Sequence, residues 1–132
     1  MTTDETQMGQ REYLDKDLTE AIIGAAFEVH NHLGYGFLEK VYQLAMQVEL
    51  EARGLKAEIE AEIRVRYKGV EVGFYRADIL VNGRVPVELK VAPDYCPADE
   101  PQLLNELKAT GIWVGLLINF GRSRVGIKRL VF

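Results

Sequence analysis

The stretch that decides the fold is residues 74–91, FYRADILVNGRVPVELKV. Apolar and polar side chains alternate on both sides of Asn82-Gly83, a dipeptide typical of a tight turn. This pattern predicts a β-hairpin in which the odd-numbered residues form one apolar face. The apolar residues on the two predicted strands are Tyr75, Ala77, Ile79, Val81, Val85, Val87, Leu89 and Val91.

The register of this hairpin follows from its apolar face. Residues that lie opposite each other in an antiparallel pair share a face, so odd-numbered residues must pair with odd-numbered ones. Pairing Val81 with Val85 meets this requirement and leaves a three-residue loop, residues 82–84. A two-residue turn would pair Val81 with Arg84 and would turn one strand's apolar set to solvent.

The even-numbered face of the hairpin collects charged side chains. In the predicted register Asp78 lies across from Glu88. Lys90 lies one step further along the same face, which also carries Arg76. Two opposed carboxylates repel each other unless a positive charge lies between them, and Mg²⁺ prefers oxygen ligands. The face therefore predicts a divalent cation site. A solvated strand face with a cross-strand salt bridge is the alternative.

The pattern of elements extends on both sides of the hairpin. Residues 1–16 show no clear period and are predicted to be a flexible N-terminal tail, and Asp17 followed by Glu20 indicates a helix start. Residues 17–132 are predicted to form a single α/β domain with a mixed sheet flanked by helices, in the order ααβββαββ. The predicted elements after the first helix are a helix over 37–52, strands over 57–67, 70–81 and 84–91, a helix over 102–110, and strands over 112–120 and 125–132.

Length and composition are those of an ordinary globular domain. The chain has 132 residues, of which 48% are hydrophobic and 27% charged. Cys96 is the single cysteine, so an internal disulfide is excluded and a reducing compartment is expected. The sequence has no apolar run of about 18 residues and no apolar signal region near residue 1. We therefore expect a cytoplasmic protein with no membrane contact.

The net charge of −4 disfavours binding of nucleic acid by bulk electrostatics. It does not exclude a metal-dependent enzyme that acts on nucleic acid, because carboxylates that bind a metal ion add negative charge that the ion offsets locally. One basic cluster stands out near the C-terminal end, and it is either a solvated surface or a strip that contacts phosphates. Its members are Arg122, Arg124, Lys128 and Arg129.

The motif residues resemble those of the PD-(D/E)XK nuclease superfamily. Asp78 is followed ten residues later by Glu88-Leu89-Lys90 at the end of an apolar strand. Residues 36–42, GFLEKVY, match the GxxExxY pattern that names one family of this superfamily. Further similar blocks are residues 75–81 (YRADILV), 102–104 (QLL) and 115–120 (GLLINF). The resemblance covers residues 18–132 and implies a restriction-endonuclease-like core.

The resemblance implies a metal site and its ligands. Asp78 and Glu88 would bind Mg²⁺ or Mn²⁺ together with the backbone carbonyl of Leu89. Glu39, on the second helix, would hold a metal-bound water or a second metal ion. The implied chemistry is Lewis-acid stabilisation of charge and a water activated at neutral pH.

The resemblance also implies roles for two further residues. Lys90 would orient or deprotonate the attacking water, and Gln102 would position the phosphate or Lys90. The chain departs from the pattern at two places: Asp99 or Glu100 stands where many relatives have a histidine, and Glu106 stands where they have a tyrosine.

Two functions follow from these observations. The first is a metal-dependent nuclease that hydrolyses phosphodiester bonds in DNA or RNA. The second is a catalytically idle module of the same fold that binds nucleic acid or a protein partner. The acidic charge and the lack of a separate recognition domain are consistent with a homodimer or a partner protein that supplies specificity.

Overall fold

The computed structural model describes residues 3–112 and 114–131, with side chains from Asp15 onwards. The order ααβββαββ is confirmed, and a short 3-10 turn at Pro97–Asp99 precedes the third helix. The elements are α1 (Thr3–Leu33), α2 (Glu39–Ala52), β1 (Ala57–Tyr67), β2 (Val70–Val81), β3 (Val85–Lys90), α3 (Glu100–Thr110), β4 (Val114–Asn119) and β5 (Gly126–Val131).

The first helix is longer than predicted. It begins at Thr3, so the predicted start at Asp17 is wrong, and residues 3–16 are helical where a loose tail was expected. Residues 4–16 contain Glu, Gln, Arg, Lys and Leu, which favour a helix by intrinsic propensity without an apolar stripe. Residues 1, 2, 113 and 132, which fell within predicted elements, lie outside the described residues.

The sheet has five strands in the order β1-β2-β3-β4-β5. The predicted hairpin register is confirmed, because Val81 pairs with Val85 across the loop of residues 82–84. Asn82 and Gly83 have φ angles of 54° and 63°, the left-handed conformation that these two residue types tolerate. β4 pairs in parallel with β3, which fits a strand that is apolar on both faces, and the other neighbours are antiparallel.

Helices cover both faces of the central strands. α1 and α2 pack against the odd-numbered residues of β2 and β3 and form the larger apolar core. On the opposite face a second cluster joins Leu103 and Leu107 of α3 to Leu117 and Leu130. A solvated even-numbered face is therefore wrong at β3, where Glu88 is only 5% exposed.

The remaining differences concern ends and irregularities. α3 begins at Glu100, two residues before the predicted start. The β1–β2 ladder shifts its register beside Val65, the residue opposite Gly73 of β2. In the described ranges, no helix has the length and apolar character that crossing a membrane requires.

Candidate active site

Asp78 lies where the β2–β3 hairpin opens. The last ladder pair before it joins Ile79 to Val87. Beyond that pair the backbone amide of Leu89 donates a 2.7 Å hydrogen bond to Asp78 Oδ2 instead of to a backbone carbonyl. The carboxylate of Asp78 therefore takes the place of a ladder acceptor, and the strands separate at the residue that carries it.

The other side of Asp78 is held by β1 and α2. Ile59 pairs with Ile79 and Ala61 pairs with Ala77, which places Glu60 between them in a left-handed conformation at φ 52°. Gln43 of α2 fills the resulting gap. Its Nε2 donates to the backbone carbonyl of Asp78 at 2.8 Å and to Glu60 Oε1 at 3.0 Å. Asp78 is thus fixed through its backbone as well as its carboxylate.

Glu88 and Glu106 form a buried pair of carboxyl groups. Glu88 on β3 is 5% exposed and Glu106 on α3 is fully buried. Burial raises the pKa of Glu88, and the nearby charges of Asp78 and Glu106 raise it further. Burial also raises the pKa of Glu106. Within the described residues, Glu88 Oε1 and both carboxyl oxygens of Glu106 receive no hydrogen bond from a donor group.

Lys90 and Glu39 lie near these carboxyl groups, and we call the set of Glu39, Asp78, Glu88, Lys90 and Glu106 the acidic centre. Lys90 Nζ lies 3.7 Å from Asp99 Oδ1, and both side chains are about one third exposed. Glu39 lies in the first turn of α2. Partial desolvation and the charge of Asp78 raise the pKa of Glu39, while the positive charge of Lys90 opposes this shift. Glu39 therefore lies within electrostatic range of both Asp78 and Lys90.

Tyr42 fixes the start of the helix that carries Glu39. Its hydroxyl donates a 2.6 Å hydrogen bond to the carbonyl of Gly34 and accepts one from the amide of Phe37. Its buried ring stacks on Phe120 with the ring centroids 4.6 Å apart. Tyr42 is therefore a structural clamp on the loop before α2, and it sets where Glu39 emerges.

The structure brings together four of the five side chains that the sequence pointed to. Asp78, Glu88 and Lys90 come from adjacent strands, and Glu39 approaches from α2. Gln102 is different. It is exposed in the first turn of α3, and within the described part of the chain it makes no hydrogen bond to the other four.

Three residues of this centre were not among the predicted site residues. Glu106 carries a readable signal, because its spacing from Leu103 and Leu107 puts it on the buried face of α3. The partners Gln43 and Glu60 carry no such signal. The positive φ of Glu60 inside β1 depends on tertiary contacts, which a local sequence pattern does not predict.

The oxygen-rich composition of the centre fits a hard divalent cation, since Asp78 supplies a half-buried carboxylate and Glu88 a buried carboxyl oxygen that has no donor. Side chains alone do not form a coordination shell here. Among residues 3–112 and 114–131, no three Asp, Glu, His or Cys side chains converge as a ready ligand set. An ion would therefore combine side-chain carboxylates with backbone oxygen or water.

The fold is shared with a protein of known structure. A crystal structure of SSO0001 superposes with a TM-score of 0.55 at 16% sequence identity, covering 92% of this chain and 61% of that chain. This chain therefore spans less than two thirds of that chain's length. Among curated proteins, no sequence matches this chain significantly.

The sequence also matches a family description over most of its length. The profile of the PD-(D/E)XK nuclease superfamily aligns with residues 16–130, which include α2, the β2–β3 hairpin and α3. Asp78, Glu88 and Lys90 all lie within this match. The chain therefore belongs to the PD-(D/E)XK nuclease superfamily.

Proposed function

We propose that this protein is a metal-dependent nuclease that hydrolyses phosphodiester bonds in DNA or RNA. The observation that carries the proposal is the buried carboxyl of Glu88, which has an oxygen without a donor and lies beside Asp78. Burying a carboxylate without a partner costs several kcal/mol in a typical protein interior. A bound cation offsets that cost, which is why we place the metal between these two residues.

The proposed ligands are Asp78, Glu88 and the backbone carbonyl of Leu89. The direction of the Leu89 peptide supports this set. The amide of Leu89 points toward Asp78, and the amide and carbonyl of one strand residue point to the same side. The carbonyl of Lys90 faces the other way, because it accepts from the amide of Phe120 beyond β4. The carbonyl oxygen of Leu89 therefore points within the sheet toward β2, the strand that carries Asp78.

When bound, Mg²⁺ or Mn²⁺ would supply Lewis-acid stabilisation of the charge that develops on the phosphate and would lower the pKa of a coordinated water. The protein's own groups hold the substrate and the water. Lys90 presents a cation at the open end of β3, where it can contact a phosphate oxygen or orient the attacking water. Glu39, whose pKa is raised by partial desolvation, would accept a hydrogen bond from that water.

Asp99 has a defined role in this arrangement. Its carboxylate lies 3.7 Å from Lys90 Nζ and restrains the ammonium group when no phosphate is bound. A phosphodiester carries one negative charge, as a carboxylate does, and competes with Asp99 for the same cation through charge-assisted hydrogen bonds. We propose that Asp99 positions Lys90, and that Gln102, in the next turn of the chain, contacts the substrate only when it is bound.

We further propose that the chain belongs to the GxxExxY family within the superfamily. Gly36, Glu39 and Tyr42 supply the three named positions. Gly36 has a φ of 110°, which a residue with a side chain rarely adopts. Tyr42 clamps the loop through Gly34, so the glycine and the tyrosine together fix the position of Glu39. This gives the spacing of the motif a physical reason.

Cleavage measured with matched variants tests the proposal. Single-stranded, duplex and branched DNA and RNA are incubated with the full chain in Mg²⁺, in Mn²⁺ and in EDTA. Asp78→Asn keeps the acceptor for the Leu89 amide but removes the charge, and it should lower cleavage by at least about 100-fold. Glu58→Gln, an exposed glutamate on β1, serves as the control and should leave cleavage unchanged.

The same experiment separates the nuclease from the idle module. Cleavage that depends on a divalent ion and on Asp78 supports the nuclease. Binding of nucleic acid without cleavage of any substrate, identical in wild type and Asp78→Asn, would support the idle module and overturn the proposal.

A further inference from the structure

A cavity of about 290 Å³ lies directly beside the proposed reaction centre. It is bounded by the loop that follows β3, the end of β4 and the beginning of β5. Lys90 lines this cavity and also belongs to the acidic centre, so the two sites share one cation. A molecule bound in the cavity therefore lies next to the group that would contact the reacting phosphate.

The walls of the cavity are held in place before anything binds. Asn119 Nδ2 donates to the carbonyl of Ala92 at 2.9 Å, and Asn119 Oδ1 accepts from the amides of Ala92 and Gly121. A Cβ on Gly121 would lie 2.4 Å from the amide nitrogen of Ala92, so the two backbones touch there. His30 fixes the neighbouring turn through a 2.8 Å hydrogen bond to the carbonyl of Arg122. The cavity is therefore a preformed feature of the fold.

The lining combines apolar surface, one aromatic ring and several cations. Leu117, Ile118 and Ile127 contribute the apolar surface. Tyr95 contributes a half-exposed ring. Three cationic residues, two of them from the basic cluster near the C-terminal end, line the cavity together with two acidic residues; these five residues are Lys90, Arg122, Lys128, Asp94 and Asp99. This combination suits a flat aromatic ring joined to an anionic group.

The volume limits what the cavity accepts. At about 290 Å³ it stands at the small end of ligand sites, which run from about 300 to 1,000 Å³, and it suits one nucleotide unit. A base inside a duplex is stacked and paired, and it must be extruded at a free-energy cost before it can enter such a site. An unpaired base in a single strand enters without that cost.

We propose that this cavity binds one unpaired nucleobase of a single-stranded nucleic acid, with Tyr95 against the base and the adjoining phosphates toward Lys90, Arg122 and Lys128. The inference rests on the proposed function for its substrate class. It assigns the recognition of unpaired bases to the cavity, separately from the acidic centre where hydrolysis takes place.

Binding of labelled oligonucleotides to the full chain tests this assignment. Fluorescence anisotropy is measured in EDTA, which prevents cleavage, for single strands and duplexes of the same sequence, in separate DNA and RNA arms. The expected result is tighter binding of the single strand in at least one arm. An oligonucleotide with abasic residues should bind more weakly than the intact strand.

Substitutions at Tyr95 link the binding to the cavity. Tyr95→Ala should weaken single-strand binding by roughly 10-fold, the scale of losing one base–aromatic stack, and Tyr95→Phe should keep it. Tyr67→Ala is the matched control, because Tyr67 is exposed at the far end of the β1–β2 hairpin. Arg122→Ala should weaken binding and reduce its salt dependence, whereas Arg66→Ala on β1 should do neither.

Two outcomes overturn the inference. One is equal affinity for single strand, duplex and abasic strand. The other is a Tyr95→Ala protein that binds as Tyr67→Ala does. These outcomes are distinct from failure of the proposed function. Binding that depends on Tyr95 without any metal-dependent cleavage keeps the cavity and rejects the nuclease. Cleavage that depends on Asp78 but not on Tyr95 keeps the nuclease and rejects the cavity.

Discussion

The two faces of β3 are both buried, but they are buried by different chemistry. Toward α1 and α2, Val87 and Leu89 pack into a continuous apolar core. Toward α3, the neighbouring residue Glu88 meets the carboxyl of Glu106 in a setting that also buries Leu103 and Leu107. One strand of six residues thus carries the main source of stability on one side and a pair of carboxyl groups on the other.

The two faces of β3 therefore contribute differently to the stability of the folded state. Burial of apolar surface lowers the free energy of the folded state by about 25 cal/mol per Å². Burial of a carboxylate raises it unless a cation, a proton or a donor compensates. The carboxyl pair under α3 therefore lowers the stability of the fold when it is ionised, and perturbed groups of this kind concentrate at functional sites.

The largest effect on stability should come from the apolar face. Ile79 is fully buried opposite Val87, and Ile79→Ala should lower the free energy of unfolding by about 2–5 kcal/mol. Glu88→Gln, on the other face, should leave it nearly unchanged at neutral pH in the absence of metal, because burial raises the pKa of Glu88 and the amide replaces a neutral carboxyl of the same shape. Urea denaturation of both variants makes the comparison, and an equal loss from both would show that the two faces contribute alike.

Activity should respond in the opposite way. Lys90→Ala should lower metal-dependent cleavage by about 100-fold, because it removes a cation that stabilises the reacting phosphate. Lys90 is partly exposed and packs no core, so the melting temperature should change little. Lys68→Ala, at the turn between β1 and β2, is the control. Unchanged cleavage in Lys90→Ala would place the chemistry elsewhere.

The carboxyl pair should make stability depend on pH. Burial raises the pKa of Glu106 from 4.5 to about 7 in the folded state. A raised pKa contributes stability that is complete at low pH and is lost as pH rises through the folded value. Glu106→Gln should therefore raise the free energy of unfolding at pH 8 by roughly 1–3 kcal/mol and change it little at pH 4. A Glu106→Gln effect of equal size at both pH values would show that Glu106 stays in one protonation state.

The smallest expected effect is on the affinity for metal alone. We expect weak Mg²⁺ or Mn²⁺ binding that needs both Asp78 and Glu88, since the described residues contain no complete set of converging side-chain ligands. Affinity should increase with pH, because the carboxyl of Glu88 must lose its proton to bind the ion. Calorimetry on wild type, Glu88→Gln and the control Glu58→Gln measures this. Equal affinity in all three proteins would rule out the proposed ligands.

The sequence predicted the hairpin and its charged residues because strand geometry obeys a simple rule. Side chains alternate with a period of two, so the parity of Val81 and Val85 alone decided the register. The start of α1 at Thr3 was missed, because its first residues are helical by propensity and show no apolar stripe. The left-handed Glu60 that Gln43 contacts depends on how α2 packs on the sheet, which no local pattern encodes.

The clamp formed by Tyr42 ties the position of Glu39 to global unfolding. The ring of Tyr42 is fully buried against Phe120 while its hydroxyl holds Gly34, so the first turn of α2 cannot swing away unless the core opens. Local fraying that would displace Glu39 is thereby coupled to the cooperative loss of the whole structure. On heating, inactivation should therefore coincide with the main melting transition instead of preceding it.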